Sequence, residues 1–394
     1  MKNKKNSFRF IDLFCGIGGF HQALTSLGGT CVFASDIDEE CRRVYHDNYK
    51  IEPEGDITIV DEKDIPPHDI LCAGFPCQAF SKAGKRLGID DPRGTLFYHI
   101  VRIAEHHKPA YMLLENVRNL AGHDEGNTWR VIRNSLRKIG YSVPDQPIIF
   151  SPHYLGIPQH RERVFILCVR KDLGQSPDFS FDGEKEPCDA YSILEKDKDS
   201  SYFENYRLPA EQVEIVDLWN ELIQNIKKPL PGFPIWSEWL RELKVLDNID
   251  QYPSWKQIFI RKNSQLYTDN KPFIDKWLKK ARKHPLFTGA KAKFEWQAGK
   301  PEKPDVWNTI MQFRPSGIRT KQPTYYPALV AITQTSIVGK EKRYLTPREC
   351  ANMQGFPEDM ALHKKDAVAY KQLGNSVNVD VVRMFAKLLL EGKK

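Results

Sequence analysis

Four short apolar runs in the first 120 residues each end in side chains that can do chemistry. They are followed in turn by a glycine-rich turn at residues 15–19, by Asp36, by Cys77, and by Glu115 with Asn116. If the runs are strands of an open α/β sheet, these groups share its carboxyl edge, where such sheets bind ligands. We therefore expect one site that combines a nucleotide-type turn, a thiol and a carboxyl group.

The turn and the acid after it indicate a nucleoside cofactor. Gly16, Gly18 and Gly19 let backbone amides approach a ligand closely. Asp36, twenty residues after Gly16, is placed to accept hydrogen bonds from ribose hydroxyls. This pattern fits NAD, FAD or S-adenosylmethionine, and a turn that only needs positive φ would also contain glycine.

Cys77 and Glu115 are candidates for nucleophilic and acid catalysis. A cysteine at the positive end of a loop or helix can ionise readily, and the thiolate is the attacking species. A buried carboxyl group can hold a proton near neutral pH, which acid catalysis requires. The structural alternatives are a half-buried cysteine and an acid that caps the next helix.

Two later segments carry further polar groups. Residues 159–163 (QHRER) contain Arg161 and Arg163, which point the same way from an extended chain and could hold a base edge or phosphates. The alternative is an edge of salt bridges with Glu162 between the arginines. Residues 372–377 (QLGNSV) form a polar loop that enters a helix, with Asn375 or Ser376 as its cap.

The elements that must position these groups alternate between strand and helix. Apolar and amphipathic patterns predict strands at 10–14, 31–35, 69–73, 110–114 and 163–169. They predict helices at 20–27, 38–48, 95–107, 124–139 and 377–390. Such alternation is typical of an α/β fold with a parallel sheet covered on both faces.

The middle of the chain has a different texture. The length of 394 residues suggests two domains. Seven of the eight tryptophans lie between 218 and 307, and residues 260–304 hold twelve Lys or Arg against four acids. We interpret this stretch as a separate small domain whose charge suits a polyanion, although a solvated basic face is the alternative. Most of its tryptophans are expected in the core.

Several site types are not expected. The eight cysteines form no CxxC pair and no His doublet has zinc spacing, so we expect no metal site. The N-terminal residues are polar and basic, and no run approaches the roughly 18 apolar residues of a membrane span. A cytoplasmic protein without a membrane partner is therefore expected.

Six segments in this order and spacing resemble the DNA (cytosine-5) methyltransferase family, of the bacterial restriction–modification type. They are 12–20 (DLFCGIGGF), 74–81 (GFPCQAFS), 115–117 (ENV), 159–163 (QHRER), 348–357 with RE and MQGFP, and 374–377 (GNSV). The resemblance implies a Rossmann-like, S-adenosylmethionine-dependent domain at 1–175, completed by 345–394. It also implies a smaller target-recognition domain at 176–344, where only the variable character matches.

The resemblance implies a known chemistry. The thiolate of Cys77 would add to carbon 6 of a cytosine flipped out of duplex DNA, and Glu115 would bind or protonate ring nitrogen 3. Carbon 5 would then take the methyl group of S-adenosylmethionine, and loss of its proton and of Cys77 would give 5-methylcytosine. Arg163, with Arg161 near it, would hold the base, and Asn116 would steady the loop around the site.

The resemblance also implies contacts with cofactor and DNA. Isoleucine follows Asp36, where many relatives have an aromatic residue that stacks on adenine. A closing loop at 81–93 would meet the DNA. The cofactor residues implied are Asp12, Phe14, Gly16, Gly18, Gly19, Asp36, Ile37, Asp56, Ile57, Pro76, Leu96 and Asn375, and the DNA-binding residues are Gln78, Ser81, Lys82, Lys85, Arg86 and Arg93.

The expected partner is double-stranded DNA, bound by a monomer that acts at the nucleoid, with a cognate restriction endonuclease acting independently. A tRNA cytosine-5 methyltransferase is the alternative, but the Cys-Phe-Thr motif of that branch is absent. A nucleic-acid-binding relative without activity would have lost Cys77 or Glu115. A nucleotide-dependent oxidoreductase leaves Cys77, Glu115 and residues 159–163 without a purpose.

Overall fold

The computed structural model describes residues 7–76, 95–177, 179, 187–196, 199, 201–243, 249–330 and 335–392. The chain divides into two compact units. Unit 1 comprises Met1–Asp189, Pro327–Thr333 and Pro347–Lys394, and unit 2 comprises Ala190–Tyr326 and Gln334–Thr346. Unit 2 is thus inserted into the sequence of unit 1.

The strands in the described residues are short, and unit 1 contains the longest of them. Their bounds are β1 Phe8–Leu13, β2 Gly29–Ser35, β3 Ile70–Gly74, β4 Tyr111–Val117, β5 Tyr141–Ser142, β6 Ile148–Phe150, β7 Gln159–His160, β8 Arg163–Arg170, β9 Ile235–Trp236, β10 Lys293–Gln297, β11 Ile310–Arg314, β12 Gly317–Lys321, β13 Tyr326–Pro327, β14 Ile337–Val338 and β15 Arg343–Tyr344.

The helices flank these strands in both units. Their bounds are α1 Gly19–Ser26, α2 Glu39–Tyr49, α3 Thr95–His107, α4 Asn127–Lys138, α5 Ala210–Asn225, α6 Ser254–Asp269, α7 Lys271–Ala281, α8 Pro347–Met353, α9 Asp366–Asn375 and α10 Val379–Glu391. The helix expected at 95–107 has those bounds in the structure. The helix expected from 377 begins two residues later, and Asn378, rather than Asn375 or Ser376, caps it by accepting from the amide of Val381.

The sheet of unit 1 is parallel only in part. Strands β2, β1, β3 and β4 are neighbours in that order and run parallel, as expected. Strand β8 lies antiparallel between β4 and β5, and β6 also pairs with it in antiparallel register. Strands β4 and β5, which α4 connects, are therefore not neighbours, and β8 lies between them in antiparallel orientation. The alternation of strands and helices in the sequence does not indicate this long-range pairing.

Alternate side chains of the central strands enter two apolar layers, as the two-residue period of a strand requires. Ile11 of β1 belongs to a buried cluster with Ile103 of α3 and Ile132 of α4. Its neighbour Phe10 meets His21 of α1 instead, with ring centroids 5.6 Å apart. Both faces of the sheet are therefore covered by helices, as expected for this fold class.

The boundaries of unit 1 differ from the expected 175 and 345. The stretch after 175 remains with unit 1, because the ring of Phe179 packs against Phe150 and Phe385 with centroids 5.9 and 4.9 Å away. Residues 327–333 also belong to unit 1, and Leu329 there accepts a hydrogen bond from Arg161. These contacts join segments that are distant in sequence, so the local amino-acid composition alone could not locate the boundaries of unit 1.

Unit 2 is built on a six-stranded mixed sheet with the order β15-β14-β11-β12-β10-β9. Trp219 of α5 and Trp277 of α7 are almost fully buried and pack with Phe294 of β10. Trp296 is also buried, Trp236, Trp239 and Trp307 are half-buried, and Trp255 is exposed. Three of the seven tryptophans are therefore buried in this core, together with many aliphatic side chains.

None of the helices in the described residues is long and apolar enough to cross a bilayer. Within the same part of the chain, no group of three or more His, Cys, Asp or Glu side chains is placed to hold a metal ion.

Candidate active site

The carboxyl ends of four parallel strands meet around one cavity of about 460 Å³ in unit 1. Register brings Leu13 of β1 beside Ser35 and Ala73, and Gly74 of β3 beside Glu115 of β4. The predicted residues that line the cavity are Phe14, Gly16, Gly19, Asp36, Ile37, Asp56, Ile57, Pro76, Leu96, Glu115, Arg161, Arg163 and Asn375. The sheet edge therefore collects most of the residues that were expected to act together.

The glycines of the glycine-rich turn are required for two different structural reasons. Gly16 has φ of +53° and open space where a Cβ would stand, so its backbone is accessible. A Cβ on Gly19 would lie 2.6 Å from Cγ2 of Val377, too close for any side chain. Gly18, outside the cavity lining, packs in the same way against the ring of Tyr49. One glycine therefore exposes the turn and the other two allow close packing.

Asp36 fixes the turn and also faces the cavity. It accepts a hydrogen bond from the amide of Gly16 at 2.7 Å and another from the amide of Asp38 at 2.8 Å. Burial raises the pKa of Asp36, although these two hydrogen bonds oppose the rise. The carboxylate keeps further lone pairs, so it can accept from a ligand hydroxyl while it holds the turn.

Asp12 does not line the cavity. It is fully buried in β1, and burial raises its pKa well above the ordinary value. Its predicted place among the cofactor contacts is therefore not seen in the geometry.

Apolar side chains provide the walls opposite the turn. Ile37 lines the cavity with 77% of its surface exposed, while Ile57 beside Asp56 is buried. An isoleucine side chain this exposed leaves an apolar surface in water, which a planar ring can cover. Sequence reasoning missed Ser35, Cys41 and Phe20 in the lining, although all three lie in or beside predicted elements.

Among the described residues, Cys15 and Cys41 line the cavity, and neither is poised to react. Burial raises the pKa of Cys41 to about 12 and raises the pKa of Cys15 well above its ordinary value. Since the thiolate is the nucleophilic form, both side chains stay unreactive thiols near neutral pH.

Glu115 and Arg163 form an ion pair at the end of β4. Nε of Arg163 lies 3.1 Å from Oε1 of Glu115, and the two side chains are 19% and 11% exposed. Burial raises the pKa of Glu115, and this effect exceeds the opposing pull of Arg163 and Arg161. The site therefore holds a carboxyl group with an increased tendency to keep its proton.

Arg161 serves a different purpose from Arg163. Its Nη1 donates to the carbonyl of Leu329 at 2.8 Å, and its Nη2 donates to the carbonyls of Gly374 and Ser376 at 2.9 and 3.0 Å. Burial lowers the pKa of Arg161 to about 9. Most of its donors are thus engaged, so Arg161 fixes the wall of the cavity rather than offering a fork to a ligand.

Glu162, which lies between the two arginines in the sequence, and Asn116, which follows Glu115, have partners of their own. Glu162 pairs with Arg118, with 2.8 Å between Oε2 and Nε, so the alternative of a salt-bridged edge between the two arginines is wrong. Asn116 is buried outside the cavity lining and donates to the carbonyl of Phe75 at 2.8 Å. It thereby ties the end of β4 to the segment that leads to position 77.

The expected thiol and the DNA-contacting loop lie outside the described residues. Pro76, which lines the cavity, is the last described residue before that gap. The predicted residues in the gap are Cys77, Gln78, Ser81, Lys82, Lys85, Arg86 and Arg93.

The family model for C-5 cytosine-specific DNA methylase matches residues 8–391 of this chain. The chain is 36% identical to the Type II methyltransferase M.AluI of Cellulosimicrobium cellulans, covering 97% of this chain and 92% of that protein. It is 33% identical to the Type II methyltransferase M.HhaI of Haemophilus parahaemolyticus, covering 98% and 95%.

A solved structure shows the same fold. The Dnmt2 methyltransferase of S. pombe aligns over 98% of each chain with a TM-score of 0.53 at 21% identity. The Rossmann-like fold class expected from the resemblance is thereby confirmed, and so is the resemblance itself. The chain belongs to the C-5 cytosine-specific DNA methylase family, enzymes that transfer a methyl group from S-adenosylmethionine to cytosine in DNA.

Proposed function

We propose that this DNA cytosine-5 methyltransferase acts through a covalent adduct between Cys77 and the target cytosine. The observation that carries the proposal is the buried Glu115–Arg163 pair, which lines the same cavity as the glycine-rich turn and Pro76. Cytosine carbon 5 is a weak nucleophile, and addition of a thiolate to carbon 6 converts the ring into an enamine. Nucleophilic catalysis thus divides a difficult step into two easier ones.

Glu115 acts on ring nitrogen 3. Burial raises its pKa, which makes the carboxyl group easier to protonate, and the protonated group donates to nitrogen 3 while the bond from Cys77 to carbon 6 forms. Arg163 keeps the carboxyl group in place and stabilises the negative charge that develops on the base oxygen. After carbon 5 is methylated, a base removes the carbon-5 proton, and the electron pair expels the thiolate of Cys77.

The residues around the cavity fit S-adenosylmethionine. The cofactor supplies an electrophilic methyl group when it is bound. Asp36 accepts from its ribose hydroxyls, while Asp56 and Ile57 form the adenine edge. The exposed Ile37 covers one face of the adenine in place of an aromatic ring. Phe14 and the glycine-rich turn enclose the methionine end.

The substrate of the proposed reaction is a cytosine turned out of duplex DNA. Its carbon 6 is inaccessible in the stack, and unstacking costs a few kcal/mol. The closing loop expected at 81–93, with its lysines and arginines, lies outside the described residues and stays a prediction. Unit 2 recognises a short sequence, and the exposed lysines of α7 supply salt-dependent affinity.

The biological setting follows from the relatives. The relatives M.AluI and M.HhaI are Type II methyltransferases, so we include in the proposal a cognate restriction endonuclease that acts independently and a methyltransferase that acts at the nucleoid. The described residues that line the cavity beside Glu115 all come from a single chain, so a monomer suffices for each flipped cytosine.

Methyl transfer and adduct trapping test the proposal together. Tritiated S-adenosylmethionine is supplied with unmethylated genomic DNA and, in parallel, with bulk tRNA. We expect label in DNA, at one short motif in bisulfite sequencing. Label only in tRNA would overturn the DNA assignment.

The adduct is tested with a duplex that carries 5-fluorocytosine at the mapped site. Fluorine cannot leave as a proton does, so the thiol stays bonded to carbon 6. We expect a complex that survives denaturing electrophoresis with the wild type and none with Cys77→Ser. A stable complex with Cys77→Ser would contradict the assigned nucleophile.

A further inference from the structure

Strands β11 and β12 of unit 2 form a β-hairpin with a two-residue connection, Pro315 and Ser316. Gly317 follows this connection, and a Cβ there would lie 2.9 Å from Cβ of Lys293 on β10. The glycine therefore lets the hairpin approach β10, which runs parallel to β12. We refer to residues 310–321 as the recognition hairpin.

The two faces of the recognition hairpin differ sharply. Met311, Ile318 and Thr320 point into the core of unit 2 and are almost fully buried. On the other face, Ile310 at the start of β11 is buried, and the side chains beyond it are polar and partly exposed. They are Gln312, Arg314, Arg319 and Lys321, joined by Lys293, Glu295 and Gln297 of the neighbouring strand.

This polar face has an excess of positive charge. Arg314, Arg319, Lys293 and Lys321 share it with one carboxylate, Glu295. Burial and the neighbouring Arg319 lower the pKa of Lys321. Cations crowded in this way favour a polyanion, and strands of a β-sheet can present such side chains to a groove of DNA.

Glu295 and Arg319 are directly opposite in register, and their side chains form an ion pair. Nε of Arg319 lies 2.9 Å from Oε2 of Glu295, and the side chains are 28% and 23% exposed. The amide of Gln297 donates to the other oxygen of Glu295. Arg314 stands 3.8 Å from the same carboxylate and donates through its other terminal nitrogen to Ser316. The carboxylate is therefore held from several sides.

This arrangement leaves one end of the Arg319 guanidinium group available. Within the described residues its hydrogen bond to Glu295 uses Nε, so Nη1 and Nη2 are not needed for the pair. The carboxylate offsets the positive charge, which weakens a purely electrostatic attraction to phosphate. What Arg319 retains is a fixed direction for two parallel donors, and that geometry matches the O6 and N7 acceptors of guanine.

We propose that Arg319, positioned by Glu295, reads a guanine in the major groove of the recognition sequence. The inference rests on the proposed function in one respect, that unit 2 faces the DNA. Arg319 is a specificity-determining residue, and Glu295 is a positioning residue that acts through it. Arg314 and Lys321, on the same face, contribute charge that does not depend on the base sequence.

The test compares methyl transfer by full-length variants on a panel of duplexes. The recognition site is first mapped by bisulfite sequencing with the wild-type enzyme, and each base pair of that site is then replaced in turn. We expect Arg319→Ala to lose about 10- to 100-fold in discrimination at one G·C position and to keep the wild-type preference elsewhere. Arg319→Lys retains the charge but lacks the fork, so it should lose discrimination at the same position.

The variant Glu295→Gln distinguishes a positioning role of Glu295 from a purely structural one. It leaves Arg319 in place but removes a negative charge from the DNA-facing side. We expect weaker discrimination at the same G·C position together with tighter binding to non-cognate duplex. Arg282→Ala is the matched control, because Arg282 is an exposed arginine at the end of α7 outside the hairpin. It should leave the base preference unchanged.

Other outcomes would overturn the inference. A uniform loss across all duplexes in Arg319→Ala, with a shallower salt dependence, would mean that Arg319 contacts phosphate. An unchanged profile in both Arg319→Ala and Arg319→Lys would mean that the pair only stabilises the sheet. In either case the wild type still methylates DNA, whereas failure of the proposed function would show as a wild type without DNA methylation.

Discussion

Two glutamate–arginine pairs on two different sheets have nearly the same contact distance and different properties. In unit 1, Nε of Arg163 lies 3.1 Å from Glu115, and the carboxyl side chain is 11% exposed. In unit 2, Nε of Arg319 lies 2.9 Å from Glu295, whose side chain is 23% exposed. Burial raises the pKa of Glu115 despite its arginine. Because the contact distances are so similar, the raised pKa of Glu115 is explained by its burial and not by its contact with the arginine.

Glu115→Gln should break the unit 1 pair with the largest effect. Glutamine has the same shape but no acidic proton, so we expect the rate of methyl transfer to fall about 10²- to 10⁴-fold. Binding of the mapped duplex should stay near the wild-type affinity. Glu295→Gln is the control, and its rate on the cognate duplex should fall by less than about tenfold. Equal losses in both variants would remove the distinction between the pairs.

The variant Arg161→Met tests whether Arg161, unlike Arg163, has a mainly structural role. The variant leaves the carbonyls of Leu329, Gly374 and Ser376 without their donor. At about 1 kcal/mol or more for each buried acceptor, the free energy of unfolding should fall by about 3 kcal/mol.

Urea denaturation measures this loss. Arg43→Met is the control, because the side chain of Arg43 is 59% exposed in its pair with Glu39. Its effect should stay within about 0.5 kcal/mol. A loss of that small size in Arg161→Met would mean that the three carbonyls find other donors.

Charge reversal on α7 should separate the charge-dependent affinity for DNA from the base-specific contact proposed for Arg319 in unit 2. Lys276, Lys279 and Lys283 are exposed on or just after that helix. Replacing all three by glutamate should weaken DNA binding and flatten its salt dependence, by roughly 0.9 in slope for each phosphate that is no longer neutralised. Base preference should not change, in contrast to Arg319→Ala. Titrations at several salt concentrations check this, and an unchanged slope would place the DNA-binding face elsewhere.

The smallest expected effect is in the pH dependence of stability. The pKa of Glu115 in the folded protein is raised above its ordinary value of 4.5. As pH rises from 4.5 through that raised value, the unfolded chain releases the proton first, so the free energy of unfolding falls. Each unit of difference in pKa contributes about 1.4 kcal/mol. Glu115→Gln should lack this component, and parallel curves for the two proteins would contradict the raised pKa.

Local signals in the sequence were sufficient for the parallel half of unit 1. The glycine-rich turn, Asp36 and the helix at 95–107 follow from short-range patterns, and the structure confirms the elements and brings the first two into one cavity. Strand β8 was expected as a strand but not as an antiparallel one, because pairing direction depends on residues far apart in the chain. The family resemblance supplied the chemistry, which the fold alone would not.

The two arginines of residues 159–163 show where sequence reasoning ended. Their spacing predicted that both point the same way, and both line the cavity, but the spacing did not indicate that their contacts differ. Arg161 bonds to carbonyls 168 to 215 residues away, and Arg163 meets Glu115 across a strand pairing. Backbone carbonyls have no sequence signature, so the different contacts of the two arginines could not be predicted from the sequence.

The bonds of Arg161 to Gly374 and Ser376 also bear on the timing of activity during protein synthesis. Residues 372–377 form one wall of the cavity, more than 200 residues after Glu115. A nascent chain that has emerged only as far as unit 2 thus has its acid and its glycine-rich turn but an open pocket. Until residues 372–377 have left the ribosome, Arg161 therefore lacks two of its partners and the pocket lacks one wall.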